Sequence, residues 1–210
     1  MKKNFNTGLS LARATMERME AKKDGALFTS ALKKLVNMTP NALEKFLGKI
    51  PTVFGRLKKV VSGISLEATE TFCVADFFKT KDQGGIFAYV DNDIHNWLNG
   101  EVKNSPAMEL ASYEFTEDIT EENIIGDAKA GEIYEEVDLA HISQVCHRHI
   151  VGGEKLLLEG GKANLFWVRN KKGGLCEVDV WLGDGGWCVS VRGFGASREW
   201  GAGLGSFFRN

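Results

Sequence analysis

The chain of 210 residues has only three prolines and four cysteines. So little proline excludes collagen-like and proline-rich polymers, and cysteines scattered without a C-x-x-C pair exclude a zinc ribbon or a disulfide scaffold. Long apolar runs are missing as well. Lys2 and Lys3 are followed by Asn4, Asn6 and Thr7 rather than by the apolar core of a secretory signal. No stretch approaches the roughly 18 apolar residues of a membrane span. Neither a G-x-S-x-G elbow nor an H-E-x-x-H helix occurs, so the sequence offers no motif for a serine hydrolase or zinc protease. These absences predict a cytoplasmic protein whose thiols, Cys73, Cys146, Cys176 and Cys188, stay reduced. Nothing in the pattern calls for a cofactor.

What is present suffices for a globular core, with 43% apolar and 26% charged residues. The net charge of −2 hides a division along the chain. Residues 1–60 hold thirteen Lys/Arg against four Asp/Glu, a balance of +9, and residues 61–210 hold thirteen against twenty-four, a balance of −11. The acid is densest over residues 109–138, with eleven carboxylates and one lysine.

Apolar spacing reads as helices in the basic part. Leu9, Ala12, Met16 and Met19 recur at three- and four-residue steps, and Leu27, Ala31, Leu32, Leu35 and Val36 make a second stripe. Thr39 and Pro40 are a cap and first-turn pair for a third helix. Residues 51–61, with Val53, Phe54, Leu57 and Val60, are read as a fourth. From about residue 64, β-branched and aromatic residues punctuated by glycine predict strands at 71–78, 86–90, 108–115, 163–169, 175–182 and 186–192, a short one at Phe207 and Phe208, and a helix over 137–150. The expected fold class is α+β. A basic helical region (1–62) precedes an antiparallel-sheet domain (63–210) that has one packed helix and ends in a meander over 163–192.

The residues Ala163, Asn164, Leu165, Phe166, Trp167, Val168 and Arg169, then Gly186, Trp187 and Val189, then Trp200, Ala202, Gly203, Phe207, Phe208, Arg209 and Asn210 carry a resemblance. Together they resemble the C-terminal region of a set of small uncharacterised proteins of Parcubacteria-type bacteria. Ala75, Asp76, Phe77, Tyr89, Asp91, Asp93, Ile94 and Trp97 match that set more loosely. The resemblance implies a bacterial protein and a shared fold. It implies no activity.

Three constellations have chemistry to offer. Cys146 and His149, three apart on a helix, could share a zinc ion, although a closed site needs two more ligands and the ordinary reading is a core thiol beside a solvated helix end. Glu177 and Asp179 fall on one face of a strand, beside the expected cross-strand positions of Ser190 and Arg192. An acid pair with a cation suits a small hydrolase or nuclease-like enzyme. It also describes the wet face of any meander. Gly201, Gly203 and Gly205 fit only part of a dinucleotide fingerprint and lead into a strand rather than the helix a phosphate loop requires.

With the glycine stretch set aside, the basic segment is the third constellation. Lys33, Lys34, Lys45, Lys49, Arg56, Lys58 and Lys59 give a charge density suited to a nucleic-acid backbone, an anionic membrane surface or an acidic protein surface. The same charges could dock on residues 109–138 of this chain. The leading expectation is a non-enzymatic binding or interaction protein, and the alternative is the Glu177 and Asp179 enzyme. The oligomeric state is left open by the sequence.

Overall fold

The computed structural model describes residues 53–98 and 100–210, with backbone alone for Val53 and Phe54. In chain order come β1 (Val53–Phe54), β2 (Leu57–Leu66), β3 (Thr69–Cys73), α1 (Val74–Phe77), β4 (Tyr89–Val90), α2 (Asn92–Leu98) and β5 (Glu101–Ser105). There follow β6 (Met108–Phe115), β7 (Ile119–Thr120), α3 (Glu121–Ala130), α4 (Leu139–Ile150), β8 (Asn164–Arg169), β9 (Leu175–Gly183), β10 (Gly186–Gly193), β11 (Glu199–Trp200) and β12 (Gly205–Arg209). The helices read over residues 9–19, 27–36 and 40–48 lie outside the described residues.

Eight strands form one sheet in the order β1-β2-β6-β12-β8-β9-β10-β4. The expected antiparallel sheet with one packed helix is therefore corrected. The sheet is mixed, because β12 runs parallel to β8 and β4 runs parallel to β10, while the other pairings are antiparallel. Alternation sets which face a residue occupies but not the direction of its neighbour, so the two parallel pairings left no trace in the pattern. Four helices rather than one are present among the described residues.

The fourth basic helix, read over 51–61, is likewise corrected, since those residues enter β1 and β2. Val53, Val60 and Val61 are β-branched, and Gly55 turns the chain at φ +60° between the strands. Gly63, at φ +68°, sits where the β2–β6 register shifts. A boundary at residue 62 would cut β2 in two. The strand read at 71–78 stops at Cys73, where α1 begins.

Both faces of the sheet are covered. On one, Phe166, Val168, Val178, Val180, Val189, Val191 and Phe207 pack with Leu139, Ile142, Val145 and Cys146 of α4 and with Ile94 and Leu98 of α2. On the other, Ala111, Tyr113, Phe115, Leu165, Trp167 and Phe208 pack with Ile124, Ile125 and Ala128 of α3. This explains β8, where Asn164, Leu165, Phe166, Trp167 and Val168 are all buried, as expected for a strand sandwiched between layers. No helix among the described residues is long and apolar enough to cross a membrane.

α4 has the clearest local code. Asp138 accepts from the backbone N–H groups of Ala140 (2.9 Å) and His141 (3.1 Å), and the Asp138 N–H returns a bond to His141 Nδ1 at 3.2 Å. His141 Nε2 meets Pro106 O at 2.8 Å and Ser105 Oγ at 3.0 Å, which ties the helix start to the end of β5.

Candidate functional site: a buried carboxylate cluster

Register places Asp179 opposite Ser190 and Glu177 opposite Arg192 on β9 and β10. All four lie on the α3 side of the sheet, with Leu165 and Trp167 beside them on β8. The face is not wet. Glu177 is fully buried and Asp179 nearly so, and Arg198, from a segment bonded to α3, reaches Glu177. The solvated-face reading of this pair is thereby overturned.

Residues 194–200 converge on Glu121, the first residue of α3. Its carboxylate accepts from Gly195 N (2.7 Å), Arg198 Nη1 (2.9 Å) and Trp200 Nε1 (3.2 Å). A negative charge here also faces the positive end of the α3 dipole. The backbone adds Glu121 N to Arg198 O at 2.9 Å and the two-residue β7–β11 ladder. Neither Glu121 nor Arg198 was found by sequence reasoning. The signals were slight: an acidic residue after the Thr120 cap, and a lone Arg-Glu-Trp run among glycines.

Arg198 Nη1 is shared, reaching Glu177 Oε2 at 3.3 Å. Glu177 Oε1 is buried and has no hydrogen-bond partner. Burial, then the negative charges of Asp179 and Glu121, push the Glu177 carboxyl up to about 8, against the opposing pull of Arg192 and Arg198. Asp179 accepts a short hydrogen bond from Ser190 Oγ and lies 3.6 Å from Arg192 Nη2. Burial raises its pKa, with the Ser190 bond and the Arg192 charge working against that rise. Arg192 in turn stacks over the Trp200 ring at 5.7 Å.

Two guanidiniums, Arg192 and Arg198, thus face three carboxyl groups, Glu121, Glu177 and Asp179. A carboxyl whose pKa is pushed up by burial beside a second acid is an arrangement used in acid–base work. Two clefts among the described residues lie elsewhere: about 490 Å³ beside Met108, Glu109, Glu135 and Arg209, and about 170 Å³ beside Leu98, Val137, Val168 and Arg169.

Cys146 and His149 each have surroundings of their own among the described residues. Cys146 lies in the core, where burial raises its thiol pKa. His149, expected on a solvated helix end, is buried instead. Its Nδ1 accepts from Leu156 N (3.1 Å) and Leu157 N (3.2 Å), its Nε2 lies 3.5 Å from Glu159, and its ring meets the Trp187 ring edge to face. Desolvation lowers its pKa. Among the described residues no group of three His, Cys, Asp or Glu side chains is arranged to hold a metal ion. The four cysteines are free thiols.

Lys33, Lys34, Lys45 and Lys49 lie outside the described residues. Arg56 forks onto Asp127, with Nε to Oδ2 at 3.0 Å and Nη2 to Oδ1 at 3.4 Å. Lys59 donates to Asn210 at 3.2 Å and lies over the Tyr113 ring. Lys58, opposite Glu114 in the β2–β6 register, is half-buried. Other cations of the described part meet the acidic stretch: Lys162 with Glu114, Arg198 with Glu121, Arg209 with Glu135, and Arg169 with Glu136.

Compared with known proteins, the chain matches no family model, no curated protein and no solved structure.

Proposed function

We propose that the chain is a binding or interaction protein that contacts nucleic acid through the lysines of its basic N-terminal segment, Lys33, Lys34, Lys45 and Lys49. One observation carries the reading. The acidic stretch 109–138 already has counter-charges at Arg56, Lys162, Arg169, Arg198 and Arg209. Four of these five counter-charges come from outside residues 1–60, Arg56 being the exception, and the charge density of Lys33, Lys34, Lys45 and Lys49 suits phosphates. Arg56 and Lys59 are withdrawn from the contact set, being occupied within the fold. Kinship with the Parcubacteria-type proteins named above belongs to the same proposal.

The test is binding of mixed-sequence RNA and DNA across a salt series. Affinity should fall with salt by a log–log slope of about 0.9 per phosphate contact on duplex DNA. Changing the four lysines together to Glu should abolish binding, and Arg56→Gln should leave it unchanged in folded protein. No binding at low salt ends the reading, and binding of acidic proteins alone would redirect it.

A second reading rests on Glu177 and Asp179 as an acid–base pair with Arg192 as their cation. The raised Glu177 carboxyl beside a charge-paired Asp179 favours it. Its burial opposes it, since a substrate must reach the proton it receives. A hydrolase panel run on the wild type and on Glu177→Gln separates the two, because turnover that the variant lacks would favour the enzyme.

A further inference from the structure

We propose that Trp97 and the β8–β9 turn that carries Lys171 and Lys172 form a contact surface for single-stranded nucleic acid, with the indole stacking on an unpaired base and the two ammonium groups meeting phosphates beside it. The inference shares the partner of the reading above, nucleic acid, but rests on other residues and adds a strand form.

The turn is built to hold its shape. Asn170 N donates to Gly174 O at 2.9 Å and Gly173 N donates to Asn170 O at 2.8 Å. The Asn170 side chain fastens the same loop, its Oδ1 accepting from Lys172 N and Gly174 N, each at 2.9 Å. Gly173 supplies the left-handed residue at φ +79°, and its carbonyl accepts from Arg169 Nη1 at 3.0 Å. Trp97, in the last turn of α2, lies against this loop through a backbone bond from Lys171 N to Trp97 O at 3.3 Å. At 38% exposed it is the most open of the five tryptophans.

Charge selects the occupant. The carboxylates beside these elements are already engaged, since Glu136 holds the Arg169 fork and Asp93 of α2 accepts from Asn96 Nδ2 at 3.1 Å. Lys171 and Lys172 are exposed and have no ion-pair partner among the described residues. Two ammonium groups on a fixed turn thus stand beside an open indole. Ammonium attracts phosphate, and an indole face accepts any base that stacks on it. A duplex keeps its bases in its own stack, so only an unpaired base can use the ring. A lipid surface fits less well. Trp97 stands between exposed Asn96 and the lysine turn, without the apolar patch that enters a headgroup layer.

The test is fluorescence anisotropy of a labelled oligothymidylate strand and of a labelled mixed-sequence duplex, titrated with the full chain, each variant being checked for folding by circular dichroism. The wild type should hold the single strand more tightly than the duplex. Trp97→Ala should weaken single-strand binding by about 5- to 150-fold and leave duplex binding unchanged, and Trp97→Phe, which keeps a smaller ring, should lose less. Changing Lys171 and Lys172 together to Gln should lower the single-strand log–log salt slope by about 1.4, the share of two phosphate contacts. Single-strand binding that survives Trp97→Ala but not the change of Lys33, Lys34, Lys45 and Lys49 to Glu overturns this surface alone. The reverse pattern upholds it and overturns the earlier choice of lysines. Binding to neither strand form overturns both, and binding to phosphatidylserine vesicles alone overturns this surface as well.

Discussion

Trp167 donates its indole N–H to Ser206 Oγ at 2.9 Å across the parallel β8–β12 pair. Ser206 passes the bond on to Leu165 O at 3.2 Å, so a buried indole and a buried hydroxyl are satisfied together at the centre of the sheet. Ser206→Ala would strand the indole N–H in a dry interior, at a cost of about 1–3 kcal/mol. Ser206→Thr, which keeps the hydroxyl, should cost less if the extra methyl is accommodated. Urea melts of the two variants check this, and equal losses would mean that packing rather than the hydrogen bond dominates.

The turn between β1 and β2 should be intolerant of a side chain. A Cβ at Gly55 would lie 2.2 Å from Asp127 Oδ2, where φ is already +60°. Gly55→Ala must strain the backbone and break the Arg56–Asp127 fork, with an expected loss of about 2–4 kcal/mol. Gly63→Ala, at φ +68° with nothing within 4 Å, should cost only about 1 kcal/mol. Thermal melts that rank the two in the opposite order would contradict the role given to the fork.

His149 predicts a pH dependence on the acid side. Its folded pKa is lowered by burial, so the folded state binds the proton less well than the unfolded chain, whose histidine titrates near 6.5. The contribution to stability is complete above that value and is lost as pH falls below it through the folded pKa. His149→Asn keeps an acceptor for the Leu156 and Leu157 amides without titrating. Its stability between pH 7 and 5 should be flatter than that of the wild type, as measured by urea titration at each pH.

Burial also orders the thiols. Cys146 and Cys176 are buried, Cys73 and Cys188 half-buried, and burial raises the Cys188 thiol pKa as well. In native protein a disulfide reagent should label Cys73 first, with Cys146 reacting only on unfolding. Mass mapping of partly labelled protein reads the order directly.

The strands of the last fifty residues were legible because face alternation is local: Val178 and Val180 against Glu177 and Asp179, and Val189 and Val191 against Ser190 and Arg192. What the faces look upon is not local. Glu177 sits in a strand that reads as half-wet, yet it is buried among Glu121 of α3, Arg198 and its strand neighbours, most of them distant in sequence or on other elements. The same limit explains residues 51–61, where apolar spacing admits a helix but the β1 turn, the Arg56 fork and pairing with β6 select a strand. His149 was misplaced for a related reason. Its burial comes from Leu156, Leu157 and Trp187, none of which its own helix supplies.

The position of β12 bears on how the chain reaches its native state. It lies between β6 and β8, so without residues 205–209 the sheet falls into two parts, β1-β2-β6 and β8-β9-β10-β4, each with a raw edge. Emergence from the ribosome therefore leaves two sticky half-sheets waiting for one short keystone segment, a period in which strand exchange between nascent copies competes with correct closure.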